Sequence, residues 1–221
     1  DDKGEWLPQT DRFNSSADIS PTGGQMARLV GLALASKLYR QNQELHAYTD
    51  FSNKGNEVAF GTIGNASTSE GCFWEAINAG GVMQVPMAVS IWDDAYGISV
   101  PAKYQTTKEN LSEILSGFQS NENAKGYEIY SVNGWDYVAL CKTYKEATEP
   151  CRQYHTPVII HVKELTQPQG HSTSGSHERY KSKERLQWEQ EYDCLNEMRK
   201  WMLETGLATE GELSACESDW K

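Results

Sequence analysis

The stretch from Glu57 to Pro101 constrains the fold more than any other. It opens with Val58-Ala59-Phe60-Gly61-Thr62-Ile63, whose composition suits a buried strand. A small-residue turn follows, Gly64-Asn65-Ala66-Ser67-Thr68-Ser69-Glu70-Gly71. Phe73 and Ile77, four apart, then carry a helical pattern. A second apolar run, Pro86 to Ile91, ends at Trp92-Asp93-Asp94-Ala95-Tyr96. The order is strand, turn, helix, strand, loop, so two polar loops follow two strand ends. In an open parallel sheet, that is where ligands bind.

The first loop has readable physics. Small residues let backbone N–H groups approach an anion, and the following helix points its positive end the same way. Asn65 offers a neutral oxygen ligand and Asp94 a charged one. Hard oxygen ligands beside a phosphate-accepting turn are what a magnesium diphosphate needs. The turn alone equally suits an ordinary strand-to-helix connection in a Rossmann-like domain without nucleotide.

The whole stretch Gly64 to Pro101 is more specific. It resembles the thiamine-diphosphate motif of 2-oxo acid dehydrogenase E1 alpha subunits. That family writes Gly-(Asp or Glu)-Gly-Ala-x-x-(Glu or Gln)-Gly, a helix, then Asn-Asn-x-Tyr-x-x-Ser. This chain writes Gly64-Asn65-Ala66-Ser67-Thr68-Ser69-Glu70-Gly71, then Asp93-Asp94-Ala95-Tyr96-Gly97-Ile98-Ser99, with no gap in the spacing. The departures fall at the metal ligands: the family's acidic ligand is Asn65 here and its Asn ligand is Asp94. The pair keeps one formal negative charge, so it reads as a compensated exchange. The resemblance runs from about Ser20 to Arg185 and implies thiamine diphosphate and magnesium as cofactors. Asn65, Asp94 and the Tyr96 carbonyl would hold the metal. Gly64, Ala66, Ser67 and Ile98 would join them in binding the cofactor.

Ser20-Pro21-Thr22-Gly23-Gly24-Gln25 reads as an N-cap leading into a helix from Met26 to Tyr39. By the resemblance, Ser20 and Thr22 sit against the aminopyrimidine of the cofactor, with Ser20 also counted as catalytic. The Ser-Pro form is closer to branched-chain (2-oxoisovalerate) enzymes than to pyruvate enzymes. Residues 165–183 lack apolar periodicity and read as a long polar loop, a kind often functional. The family places its active-site loop here, so His171 resembles the catalytic histidine that contacts the cofactor phosphate near the substrate. Ser172 matches a position phosphorylated in mitochondrial relatives. Gln167 and Lys181 stand where the family has Arg.

Elsewhere, Leu45 to Phe51 and Glu57 to Ile63 bracket a polar turn, and Thr107 to Phe118 fits a helix. Tyr127 to Val132 and Pro157 to Val162 read as strands, and Asp136 as the cap of a helix through Tyr144. His161, alternating within its strand, reads as a satisfied core histidine. Glu184 to Thr205 fits one long amphipathic helix with Trp188, Tyr192, Leu195, Met198 and Met202 on one face, ended by Gly206. A further short helix starts at Thr209.

These elements predict an α/β chain: one domain over 1–221, three-layer and Rossmann-like, binding thiamine diphosphate on a mainly parallel central sheet. Residues 165–183 form its active-site loop and 184–221 its C-terminal helices. The 31 acidic residues outnumber the 20 basic ones, giving −11 and arguing against nucleic acid as a partner. No apolar run is long enough to span a membrane. Five cysteines without CxxC spacing read as free thiols of a reducing, cytoplasmic compartment. The polar residues 1–18 offer nothing like the family's preceding helices, so the chain reads as a fragment of a longer one. The resemblance implies an E1 that decarboxylates a small 2-oxo acid and passes the acyl group to lipoamide on an E2 component. It also implies an E1 beta-type domain or subunit, which in the family supplies the carboxylate that activates the aminopyrimidine, and a homo- or hetero-oligomer. The alternatives are a non-catalytic cofactor-binding module and a degenerate paralogue.

Overall fold

The computed structural model describes residues 21–168, 170–171 and 177–219. Four parallel strands form the central sheet: β1 (Ala59–Gly64), β2 (Met87–Trp92), β5 (Glu128–Asn133) and β6 (Val158–Lys163), in the order β1-β2-β6-β5. Two-residue strands β3 (Tyr96–Gly97) and β4 (Val100–Pro101) pair as a small hairpin after β2. The helices are α1 (Gln25–Gln41), α2 (Gly71–Met83), α3 (Leu111–Leu115), α4 (Tyr137–Tyr154), α5 (Lys183–Glu191), α6 (Cys194–Glu204) and α7 (Glu210–Asp219).

The inner strands β2 and β6 are buried on both faces, which explains their continuous apolar runs. One face packs Met87, Val89, Ile91 and Ile159 against Met26, Leu29 and Ala33 of α1 and Phe73 and Ile77 of α2. The other packs Ala88, Val158, Ile160 and Val162 against Ala147 and Cys151 of α4. The result is a three-layer, Rossmann-like α/β fold, as expected. The layers follow from connection handedness. β1 to β2 and β5 to β6 run in opposite directions across the sheet, so right-handed crossovers place α2 and α4 on opposite faces.

Basic side chains cap helix ends. The Arg40 guanidinium donates to the Arg152 and Gln153 carbonyls at 2.9 and 3.1 Å, at the C-terminal end of α4. Lys37 donates to the Met83 carbonyl at the end of α2. The loop between them requires Gly55, with φ 73°, where a Cβ would lie 2.3 Å from the Ser36 carbonyl oxygen.

Three expectations are corrected. α1 starts at Gln25 with Gly24 at the N-cap and no side-chain capping bond; Gly24 N and Met26 N instead donate to the Pro21 and Gly23 carbonyls. Leu45 to Phe51 does precede a polar turn, closed by Asn56 N donating to the Asn53 carbonyl. Asn42 caps a 3-10 turn over Gln43–Ala47, leaving Tyr48 and Phe51 exposed. Thr107 to Phe118 is not one helix. Asn110 has extended backbone and caps Glu113 N, so only Leu111–Leu115 is α-helical, flanked by 3-10 turns. Glu184 to Thr205 breaks into α5 and α6. Asp193 caps a new start by accepting from Leu195 N and Asn196 N, and Leu195 turns out to solvent at 77% exposure. Asp136 does cap α4, and Gly206 (φ 70°) does follow the end of α6. Thr209 and Glu212 form a reciprocal cap at the start of α7.

Among the described residues no helix is long and apolar enough to cross a membrane. All five cysteines are unpaired. Cys141, Cys194 and Cys216 are exposed, while burial on the sheet-facing side of α4 pushes the Cys151 thiol up to about 12. A thiol reagent at pH 8 should therefore label those three rapidly, the half-buried Cys72 more slowly, and Cys151 only on unfolding. Labelling of native Cys151 would contradict the packing of α4 on the sheet.

Candidate functional site

The carboxyl ends of β1 and β2 lie side by side, Gly64 opposite Trp92, and Asn65 N donates to the Trp92 carbonyl at 2.9 Å. Their two loops therefore leave the sheet together. Above them opens a cleft of about 780 Å³. Its walls include Thr22, Gly64, Asn65, Ala66, Ser67, Asp94, Tyr96, Ile98 and His171. The structure thus brings together every expected site residue that it describes. Ser20 and Ser172 lie outside the described residues.

Each side chain has a local cause. Asn65 ends β1 in αR conformation and opens a 3-10 turn over Ala66–Ser69, which runs into α2. Thr68 ties the turn by donating to the Asn65 carbonyl at 2.6 Å. The Asn65 side chain is buried but makes no capping bond. Asp93 and Asp94 point apart, as neighbours in an extended segment do. Asp93 accepts from His161 Nε2 at 2.9 Å, and His161 Nδ1 pairs with the Ser112 hydroxyl at 2.7 Å. His161 is therefore the satisfied core histidine expected, and Asp93 stays out of the cleft wall. Asp94 faces the cleft. Its Oδ1 accepts from Tyr96 N at 3.1 Å, and burial raises its carboxyl above the usual range against the lowering fields of Lys181 and Arg185.

The hairpin β3–β4 is strained. Ala95 and Ile98 have φ of 67° and 56°, a left-handed conformation that is unfavourable for a β-branched residue. It is held by Asp93 Oδ1 accepting from Ala95 N and by Ala102 N donating to the Ala95 carbonyl, both at 2.8 Å. Strain of this kind clusters at binding sites.

A buried ion cluster anchors the Asp94 loop. Lys181 Nζ lies 2.7 and 2.9 Å from the two oxygens of Glu189, and Arg185 Nε lies 2.8 Å from Oε1. The Lys181 and Glu189 side chains are 1% and 0% exposed. Arg185 also donates to the Asp94 carbonyl at 2.9 Å and the Leu165 carbonyl at 3.4 Å; Lys181 reaches the Gln167 carbonyl at 3.5 Å. Both cations lie over the Tyr96 ring, and Tyr180 packs against it. Two cations and one carboxylate thus bind the Asp94 loop to residues 165–167.

Sequence reasoning missed this cluster and also Gln105. Arg185 and Glu189, four apart on a helix, gave a local signal. Gln105 gave none, because it lies in a polar stretch with no period.

A family model described as "Dehydrogenase E1 component" matches residues 8–221. The chain belongs to the dehydrogenase E1 component family. Curated relatives of two kinds resemble this E1 chain about equally. The pyruvate dehydrogenase E1 component subunit alpha of Rickettsia bellii is 27% identical over 79% of this chain and 51% of its own length. The 2-oxoisovalerate dehydrogenase subunit alpha of Bacillus subtilis is 28% identical over 86% of this chain and 51% of its own. The mitochondrial 2-oxoisovalerate dehydrogenase subunit alpha 1 of Arabidopsis thaliana is 26% identical over 98% of this chain and 42% of its own. The chain thus spans about half the length of the curated relatives it matches.

The cleft's donors fit a hard divalent cation on a diphosphate. One neutral and one charged oxygen side chain reach it from adjacent strand ends, beside the start of a 13-residue helix.

Proposed function

We propose that this chain is the thiamine-diphosphate-binding part of a 2-oxo acid dehydrogenase E1, active in oxidative decarboxylation with acyl transfer to the lipoyl group of an E2 partner. The observation that carries the reading is the convergence of Asn65 and Asp94 in one cleft at the ends of β1 and β2. In this reading Asn65, Asp94 and the Tyr96 carbonyl hold magnesium. The amides of Ala66 and Ser67, at the positive end of the turn and α2, face the diphosphate. Thr22 lies on the same cleft wall, and Ser20 precedes it in sequence. In this reading His171, which is exposed and lines the cleft, donates to a phosphate or to substrate oxygen. The carbanion chemistry belongs to the cofactor; this chain's residues bind, orient and neutralise charge.

For the substrate we favour a branched-chain 2-oxo acid, on the Ser20-Pro21 form before α1. The beta-type partner is supported by the rim of the cleft. Trp92 and Ile98 line it and expose large apolar surface, and Val100 and Tyr104 are exposed on the segment that follows, as a face covered by another domain is.

Reconstitution tests the reading. The chain alone, with thiamine diphosphate and magnesium, should show no decarboxylation, and adding the beta-type domain should restore turnover on 2-oxoisovalerate. Turnover by the chain alone would contradict the partner. No cofactor binding by the assembled pair, measured by calorimetry, would favour the degenerate paralogue.

A further inference from the structure

One polar atom in the cleft has no partner. Among the described residues, Gln105 Oε1 is the only buried side-chain oxygen or nitrogen without a hydrogen bond. An amide oxygen left so bears its desolvation cost with nothing to offset it, which points to a donor that arrives from outside the chain. Gln105 lines the same cleft as Asn65 and Asp94.

Its position is fixed by backbone. Gln105 N donates to the Ala102 carbonyl at 2.9 Å, and Ala102 N donates to the Ala95 carbonyl at 2.8 Å. The amide thus rides on a turn tied to the residue after Asp94. Gly97 makes room for it: a Cβ there would lie 2.3 Å from Gln105 Nε2, 2.7 Å from Oε1 and 2.7 Å from the Ala66 Cβ. The amide therefore sits beside Gly97 and Ala66, at the end of the cleft that carries Asn65 and Asp94.

At that end an ionised diphosphate offers acceptors only, and an amide oxygen cannot pair with them. A magnesium ion, in contrast, is octahedral and gives up water reluctantly, so the three protein ligands and the diphosphate leave one or two positions for water. Water on a divalent cation is a strong donor. We infer that Gln105 Oε1 accepts a hydrogen bond from a cation-bound water, making Gln105 an outer-shell positioning residue of the metal site. The inference rests on the cofactor reading above. Outer-shell partners of this kind are typically worth about 10–100-fold in metal affinity.

The test is Gln105→Met, which keeps the length of the side chain and removes the acceptor. Magnesium is titrated calorimetrically into the assembled enzyme at saturating thiamine diphosphate, and thermal unfolding is followed without ligands. The expected result is a magnesium Kd raised about tenfold or more, with an unfolding temperature unchanged or raised by about 2–4 °C as the orphaned acceptor disappears. A Kd equal to that of the unaltered enzyme overturns the inference. A weaker Kd with a lowered ligand-free unfolding temperature also overturns it, tracing the loss to packing. If the unaltered enzyme binds no magnesium with thiamine diphosphate, the cofactor reading itself has failed, and the inference with it.

Discussion

Glu189→Ala is expected to cost about 3–5 kcal/mol, because it leaves Lys181 charged, buried and unpaired. That is a large share of the roughly 5–15 kcal/mol that holds a typical domain together. Glu189 is fully buried and touches both Lys181 and Arg185. Arg185 keeps the Asp94 and Leu165 carbonyls when Glu189 is removed, but Lys181 keeps only the long contact to Gln167 and the face of the Tyr96 ring, with no carboxylate. Denaturant titration should show the midpoint falling with little change in slope. Lys181→Met combined with Glu189→Leu should recover much of the loss, since apolar replacements of a buried pair are often neutral. A single-variant cost below about 1 kcal/mol, the range of an exposed pair, would show that the cluster does not behave as buried charge.

Asp94→Asn is expected to weaken magnesium-dependent binding of thiamine diphosphate by about 100-fold, or about 2.7 kcal/mol. It removes the only charged side chain among the proposed ligands. An amide oxygen at that position can still accept from Tyr96 N, so the loop should keep its shape. The pair Asn65→Asp with Asp94→Asn restores one carboxylate and should recover most of the affinity. Both side chains line one cleft, from loops joined by the Asn65 N to Trp92 carbonyl bond. Calorimetry on the assembled enzyme decides. If the double exchange binds no better than Asp94→Asn, the two positions do not share one ion.

What the sequence revealed follows from which interactions are local. β2 and β6 are apolar on both faces, so a run of Val, Ile and Met marks them without tertiary knowledge. Asn65 and Asp94 were legible because the turn, helix and strand between them have a fixed length. Helix ends were less so. Asp193 stops one helix and starts another through bonds to two amides, while apolar spacing runs on past it. The cluster at Glu189 joins α5 to a loop 91 residues earlier, through Arg185 and Asp94. No pattern of spacing records that contact, and the same holds for Gln105 beneath Gly97.

The strand order β1-β2-β6-β5 puts β6, the last of the described strands, between β2 and β5. During synthesis β5 emerges before β6, the strand that lies between it and β2. Until residue 163 is free, β2 and β5 each present an unpaired edge on the side that β6 later joins. Both are templates for unwanted pairing. Completion of the sheet therefore awaits one late insertion that satisfies two edges at once, and a chaperone holding the β2 edge would be displaced by β6 itself.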